Sequence, residues 1–131
     1  MVEHPDVALV RRGYQAFATG DVETLSVVIA EDATQYQPGT SAMAGEYKGR
    51  QAILEFYGRL ATETDGTFKA ELQNLYTDGK GCVVAVHRSI GSRGGKQLDV
   101  GTVLIFTVRD GAARDIHACQ DDIDRWDDFW A

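Results

Sequence analysis

Three histidines are the side chains of this chain best suited to move a proton near neutral pH, and His87 is the strongest candidate among them. It lies in segment 82–90, which has the pattern of a strand. A neutral imidazole with a pKa near ~6.5 can serve as a general base or a general acid. His117 falls on the opposite face of its predicted strand from Ile116, and His4 lies near the N-terminus, so neither is expected in a site.

A histidine that moves protons is helped by a carboxylate partner, and Asp122 or Asp121 could provide it. If the predicted strand 113–120 continues, Asp122 shares a face with Gln120. If the strand ends or bulges first, Asp121 is nearly as plausible. Five of the last 11 residues are Asp, a pattern that is also typical of the solvated side of an amphipathic tail. The sequence leaves the choice between the two open.

Segment 35–37 could orient a polar ligand. The Tyr36 phenol can donate a hydrogen bond to a carbonyl, whereas Gln35 and Gln37 can orient a ligand but cannot transfer protons. Aromatic side chains on predicted helix faces build core or a pocket wall; these are Tyr14, Phe56 and Tyr57.

No cofactor motif is visible in the sequence. There is no GxGxxG, P-loop or HExxH pattern. The glycine-rich segment 91–95 lies between two predicted strands and is therefore predicted to be a hairpin turn, not a phosphate-binding loop. Cys82 and Cys119 match no zinc spacing, and three scattered histidines predict no metal site. The sequence therefore predicts chemistry without a cofactor and without a metal.

The formal net charge of -7 works against binding to nucleic acid or to an anionic membrane surface. No apolar run approaches the roughly 20 residues of a membrane span, and the N-terminal residues lack the pattern of a signal peptide. We expect a cytoplasmic protein that binds neither nucleic acid nor membranes.

Apolar residues recur at helical spacing in three segments, 5–19, 22–30 and 49–61. Pro5 suits a first helical turn, Gly20 a helix end and Asp21 the N-cap of a second helix. Segment 33–37 could be a short strand, and 40–45 is predicted to be a loop. The tail, with Trp126 and Trp130 near helical spacing, could be a short helix or an ordered flap.

Beyond residue 66 the period changes from helical to twofold. Strands are predicted over 68–76, 82–90, 98–108 and 113–120, separated by the turn dipeptides Asp-Gly, Gly-Gly and Asp-Gly. Helices followed by a run of hairpin strands predict an α+β fold, with three N-terminal helices packed on a curved antiparallel sheet. With no repeat or linker, residues 1–131 are expected to form a single domain.

Several segments together resemble SnoaL-like proteins of the NTF2-like superfamily. They are Phe17-Ala-Thr-Gly-Asp21, Ala30-Glu-Asp-Ala-Thr34, Pro38-Gly39, the stretches 45–50 and 53–60, Leu98-Asp-Val and Asp127-Asp-Phe-Trp130. The resemblance spans nearly the whole chain and implies an NTF2-like cone that encloses a pocket, and often a homodimer formed through the outer face of the sheet. Functions in this superfamily range from polyketide cyclases, ketosteroid isomerases and dehydratases to domains with no catalysis.

The strand register implied by the resemblance places His87 on the pocket side. Alternation along 98–108 puts Leu98, Val100 and Thr102 on one face, a mostly apolar wall with one hydroxyl that suits an organic ligand. The same alternation on the last strand adds Ala118 and Gln120 to the expected binding residues.

The ketosteroid isomerases use an Asp base with a Tyr and a protonated Asp that stabilise the oxyanion. The resemblance places these three positions at Gln37, Gly13 and Thr102. A glutamine cannot abstract a proton and a glycine has no side-chain donor, so that mechanism is disfavoured here.

The leading hypothesis is a cofactor-independent cyclase, isomerase or dehydratase that acts on a small hydrophobic carbonyl compound. The resemblance to the SnoaL cyclases implies that a His and an Asp move the proton, here His87 with Asp121 or Asp122, and Tyr36 would donate a hydrogen bond. The alternative is a module that binds a small ligand or only dimerises, without catalysis. A third hypothesis, hydrolysis of an epoxide, requires a carboxylate inside the cavity.

Overall fold

The first two helices begin and end where the sequence provides caps. In the computed structural model, which describes residues 2–131, α1 (Pro5–Thr19) ends at Gly20 in the left-handed conformation with φ 67°. The Asp21 side chain accepts a hydrogen bond from the Thr24 N–H and caps α2 (Val22–Val28). Helix α2 ends two residues earlier than predicted because the chain turns extended at Ile29 and enters the first strand.

Ten elements follow one another in the order ααββαββββα. After α1 and α2 they are β1 (Ile29–Gln37), β2 (Gly45–Lys48), α3 (Arg50–Thr62), β3 (Lys69–Thr77), β4 (Cys82–Arg93), β5 (Lys96–Arg109), β6 (Ala112–Gln120) and α4 (Ile123–Trp130). Strand β1 begins four residues before the predicted 33–37. Strand β2 was not predicted, since its four residues carry no clear alternation and are mostly exposed. The tail is a helix, one of its two predicted forms.

All six strands form one sheet in the order β2-β1-β6-β5-β4-β3. The four strands β3 to β6 pair antiparallel in sequence order, as the hairpin dipeptides predicted. The sheet is nevertheless mixed, because β1 pairs parallel with β6 while β2 pairs antiparallel with β1. Four strands, β2 to β5, separate β1 from β6 in the sequence, and short-range turn signals cannot encode a pairing between such distant segments.

The helices pack against one face of this sheet, which is the α+β cone expected for an NTF2-like protein. Helix α1 contributes Val10 to a buried cluster with Val83 and Ile116 of the sheet. Helix α4 covers a separate region of the inner face, where Trp126 and Phe129 are buried. The helices and the inner face therefore enclose the space in which a site can form.

No helix within residues 2–131 is long and apolar enough to span a membrane. The cytoplasmic location and the single domain over 1–131 stay predictions.

Candidate functional site

A cavity lies between the helices and the inner face of the sheet. Its wall is mostly apolar, with Phe17 and Phe56 from the helices and Leu104 and Phe106 from β5. The cavity has a volume of about 80 Å³, and one water molecule needs roughly 10–15 Å³. The cavity therefore has room for several waters or for a small organic molecule.

His87 lies in the wall of this cavity, on the inward face of β4, and is 5% exposed. Its Nδ1 is 2.6 Å from the hydroxyl of Tyr14 on α1, and its Nε2 is 3.1 Å from the Ser89 Oγ. Ser89 Oγ in turn lies 2.8 Å from Thr102 Oγ1 on β5. Four side chains thus form one continuous chain of hydrogen bonds, with the imidazole in the middle.

Burial sets the protonation state of these four hydrogen-bonded side chains. It lowers the pKa of His87 from 6.5 to about 4, because a charged imidazolium loses its hydration in an apolar wall. Burial also raises the pKa of Tyr14, with a smaller contribution from Tyr57. At neutral pH all four groups are therefore uncharged, and each can act as donor or acceptor.

Amide side chains make up the second polar part of the cavity. Gln35 accepts a hydrogen bond of 2.7 Å from the Tyr57 hydroxyl, and burial raises the pKa of that phenol. Gln37 and Gln120 also line the cavity, but Gln37 Oε1 and both terminal atoms of Gln120 are buried without a partner. The Nε1 of Trp126, also in the wall, is unpartnered as well. These atoms are free to bind a ligand or water.

Eight of the residues proposed from the sequence line the cavity: Tyr14, Gln35, Gln37, Phe56, Tyr57, His87, Thr102 and Gln120. They come from α1, α3 and four different strands, so only the folded chain brings them together. Gly13, where the resemblance places the tyrosine of the steroid isomerases, also lines the cavity.

Tyr36 was expected to donate a hydrogen bond to the ligand, but it does not reach the cavity. It lies on the outer face of the sheet, where its ring stacks on His117 with centroids 4.2 Å apart. Gln35 and Gln37 point inward, and alternation along β1 therefore turns Tyr36 outward. The donor expected from Tyr36 is instead available from Tyr14. His117 faces outward, as its parity predicted.

Three further residues proposed for binding are buried outside the cavity wall. Leu98 and Val100 share the inward face with Thr102, but Trp126 and Phe129 of α4 cover that part of β5. Ala118 is buried and is not part of the wall.

Asp121 and Asp122, proposed as acidic partners, lie outside the cavity and are exposed. Strand β6 ends at Gln120, so the alternation that would turn Asp122 inward stops before it. Asp122 instead caps α4 by accepting a hydrogen bond from the Arg125 N–H. Asp121 accepts from the Gly101 N–H and lies 3.7 Å from the Arg88 guanidinium. Among residues 2–131, no Asp or Glu lines the cavity.

Ser89 and Trp126 bring polar atoms to the site but were not among the site residues proposed from the sequence. Ser89 could have been added, since the register that the resemblance implies puts it on the inward face with His87, two residues away on the same strand. Trp126 could not, because α4 lies against the sheet through tertiary packing alone. No cluster of three potential metal ligands occurs in the described part of the chain.

The profile of the family described as "SnoaL-like domain" matches residues 10–116. The uncharacterized protein Rv0034 of Mycobacterium tuberculosis is 34% identical over 131 residues, which is all of both chains. The chain therefore belongs to the SnoaL-like family.

Solved structures agree with this assignment. Bal32a, from a soil-derived mobile gene cassette, is 42% identical with a TM-score of 0.95 over 97% of each chain. An NTF2-like protein of Burkholderia xenovorans is 21% identical with a TM-score of 0.83 and covers 100% of this chain and 99% of its own. IdmH, a candidate polyketide cyclase of Streptomyces antibioticus, is 21% identical with a TM-score of 0.74 over 91% and 93%. At this identity the last two indicate the fold alone.

Proposed function

We propose that this protein is a cofactor-independent enzyme that moves protons on a small hydrophobic carbonyl compound, as a cyclase, isomerase or dehydratase would. The observation that carries the proposal is the contact between the half-buried Tyr14 hydroxyl and the buried His87 imidazole, 2.6 Å apart in the wall of an apolar cavity. Enolisation of a ketone needs a proton donor and a base within reach of each other, and this pair provides both in a mostly apolar cavity. IdmH, a candidate polyketide cyclase, shares this fold.

The mechanism begins with Nδ1–H of His87 donating to the Tyr14 oxygen and the Tyr14 O–H donating to the carbonyl of the ligand. Ser89 Oγ lies 3.1 Å from His87 Nε2, so the Ser89 side chain must turn away from the ring and donate to Thr102 before the Nε2 lone pair is open to the ligand. Nε2 takes the proton from the carbon next to the carbonyl. The Nδ1 proton passes to Tyr14 as the Tyr14 proton passes to the carbonyl oxygen. The products are the neutral enol and the other neutral tautomer of His87.

This route suits the low pKa of His87, about 4. A free imidazolium is unfavourable in the apolar wall, and a nearby carboxylate would ordinarily stabilise it. Passing the proton on to Tyr14 avoids that charge. The enol is the common intermediate of isomerisation, dehydration and ring closure by carbon–carbon bond formation.

The test is incorporation of deuterium from D2O into the carbon next to the carbonyl of cyclohexanone and acetophenone, followed by NMR. Protein-dependent exchange is expected, and His87→Gln should reduce it about a hundredfold or more. Tyr14→Phe should reduce it as well, and should weaken ketone binding because it removes the hydrogen bond to the ligand carbonyl. Tyr76→Phe, at a phenol exposed on the sheet, is the matched control and should leave exchange unchanged.

The second candidate function is binding of a small ligand without catalysis. It is favoured by the hydrogen bonds that already engage both ring nitrogens of His87, and by the absence of a carboxylate from the wall formed by residues 2–131. Exchange no faster than in buffer, for ketones that demonstrably bind, would decide for this function. Epoxide hydrolysis is not proposed, since it requires that same carboxylate.

We also propose that two copies associate through the outer face of the sheet. A row of cross-strand neighbours crosses this face from β3 to β1: Tyr76, Val84, Ile105, His117 and Tyr36. Tyr76 is 57% exposed and Ile105 38% exposed. A continuous apolar and aromatic row on an exposed sheet face is typical of a protein interface.

A further inference from the structure

We infer that the cavity takes an uncharged ligand that carries a hydrogen-bond donor and an acceptor close together, such as an α-hydroxyketone, held by Gln37, Gln120 and Trp126. This inference rests on the proposed function for the identity of the reacting carbonyl, but its own evidence is the set of unpartnered polar atoms in the wall. It adds a specificity-determining part to the site, distinct from the pair of Tyr14 and His87.

The unpartnered atoms are buried and belong to the cavity wall. Gln37 is 8% exposed and Trp126 2% exposed, and Gln37 Oε1 and Trp126 Nε1 have no hydrogen-bond partner. Gln120 has no partner for its terminal oxygen or its nitrogen. A buried polar atom without a partner is costly, so native proteins seldom keep several in one place unless a ligand or water satisfies them.

The hydrogen-bonding pattern of these groups describes the ligand. The indole of Trp126 can only donate, and therefore requires an acceptor on the ligand. A glutamine side chain has an NH2 group that donates and a C=O that accepts, whichever way the amide is turned. Gln120 therefore requires both an acceptor and a donor on the ligand. A hydroxyl beside a carbonyl provides them within one small group, whereas a simple ketone provides an acceptor alone.

The wall also decides the charge of the ligand. Among the described residues none that lines the cavity is Asp, Glu, Lys or Arg. Burial keeps His87 neutral at pH 7 by lowering its pKa to about 4. A carboxylate or an ammonium group would lose its hydration here without meeting an opposite charge, and this penalty excludes it.

The amide region adjoins the proton-transferring residues. Thr102 lies directly opposite His87 across the β4–β5 pair and directly opposite Gln120 across the β5–β6 pair. The three side chains therefore stand in one row on the inner face of the sheet. A ligand held by Gln120 has its polar group next to the hydroxyl that ends the chain from Tyr14 to Thr102.

The experiment compares three probes that share one ring: 2-hydroxy-1-phenylethanone, acetophenone and benzoate. Dissociation constants are measured at pH 7, with the indole and side-chain amide NMR signals of Trp126, Gln37 and Gln120 followed during the titration. The hydroxyketone is expected to bind about tenfold tighter than acetophenone, equivalent to about 1.4 kcal/mol, and benzoate should not bind. The signals of the three residues should shift with the hydroxyketone.

Gln120→Leu and Gln37→Leu should each reduce the preference for the hydroxyketone over acetophenone. Gln97→Leu, at an exposed glutamine of β5, is the matched control and should keep it. Equal binding of the two ketones to the unsubstituted protein, binding of benzoate, or an unchanged preference in both cavity variants would overturn the inference. Binding is measured without turnover, so a protein that prefers the hydroxyketone yet exchanges no protons fails the proposed function and retains this inference.

Discussion

At the scale of the residue, the site is governed by the cost of charging a group in an apolar wall. His87 has its ordinary hydrogen-bonding capacity, but Tyr14 and Ser89 occupy both ring nitrogens and neither neutralises a positive charge. The imidazole is therefore suited to exchanging one neutral tautomer for the other. A solvated histidine, with a pKa near ~6.5, would instead be partly charged at neutral pH.

The depressed pKa of His87 predicts a specific dependence of stability on pH. Between pH 6.5 and about 4, the unfolded chain binds a proton at His87 and the folded chain does not. Neutral His87 therefore makes its full contribution to the free energy of unfolding above pH 6.5. This contribution is lost as the pH falls towards 4, and the total loss is about 3 kcal/mol. Urea unfolding at pH 7 and at pH 4.5 measures this difference.

In His87→Gln the difference in unfolding free energy between the two pH values should shrink by most of that amount. Gln97→Leu, at an exposed residue that does not titrate, should leave the difference unchanged. The comparison uses differences between pH values, so a general loss of stability in either variant does not affect it. An NMR titration of His87 with a midpoint near 6.5 would contradict the prediction.

At the scale of the element, α4 packs on the sheet through Trp126 and Phe129, and hydrogen bonds tie its C-terminal end to the β4–β5 hairpin. The Arg93 guanidinium donates to the carbonyls of Phe129 and Ala131, and the Lys96 ammonium donates to those of Asp128 and Ala131. These cations meet carbonyls that lack partners within the helix, at the negative end of its dipole. The hairpin thereby holds in place the helix that carries Trp126.

Arg93→Ala should loosen this attachment, because it removes the hydrogen bonds to α4 and the ion pair with Glu63. Amide hydrogen exchange in α4 is expected to rise about fivefold to tenfold, which corresponds to a loss of about 1 kcal/mol of local stability. Exchange in α1 and β5 should change little. Arg109→Ala, at the opposite end of β5, is the control. Equal protection of α4 in both variants would refute the role of Arg93.

At the scale of the whole molecule, the sheet has two different faces. The inner face supports the helices and the cavity, and the outer face carries the row from Tyr76 to Tyr36. That row runs over five strands and contains no Lys, Arg, Asp or Glu. Such a surface is well suited to contact a second copy of the same chain.

Ile105→Glu should therefore convert a dimer into a monomer, since association would bury a carboxylate in an apolar interface. Light scattering after size-exclusion chromatography should give twice the chain mass of 14.3 kDa for the unsubstituted protein and the single chain mass for the variant. Val27→Glu, at a residue of α2 that is 59% exposed, should remain a dimer. A monomeric mass for the unsubstituted protein would end this proposal.

The sequence by itself determined most of the helices and strands, since the periods of 3.6 and 2 and the turn dipeptides are local signals. It did not predict β2, and it left the form of the tail that became α4 open. It also placed His87 on a strand and Tyr14 on a helix. It did not reveal that these two side chains, 73 positions apart, touch.

Only the tertiary structure decided which residues meet in the cavity. Pairing of β1 with β6 brings Gln35 and Gln37 into the wall and leaves Tyr36 outside. The end of β6 at Gln120 places Asp121 and Asp122 in solvent, and α4 covers Leu98 and Val100. The physical reason is that the alternation of side chains assigns a residue to one face of the sheet only within a hydrogen-bonded strand pair. The length of each ladder, and what packs against it, depend on contacts between distant parts of the chain.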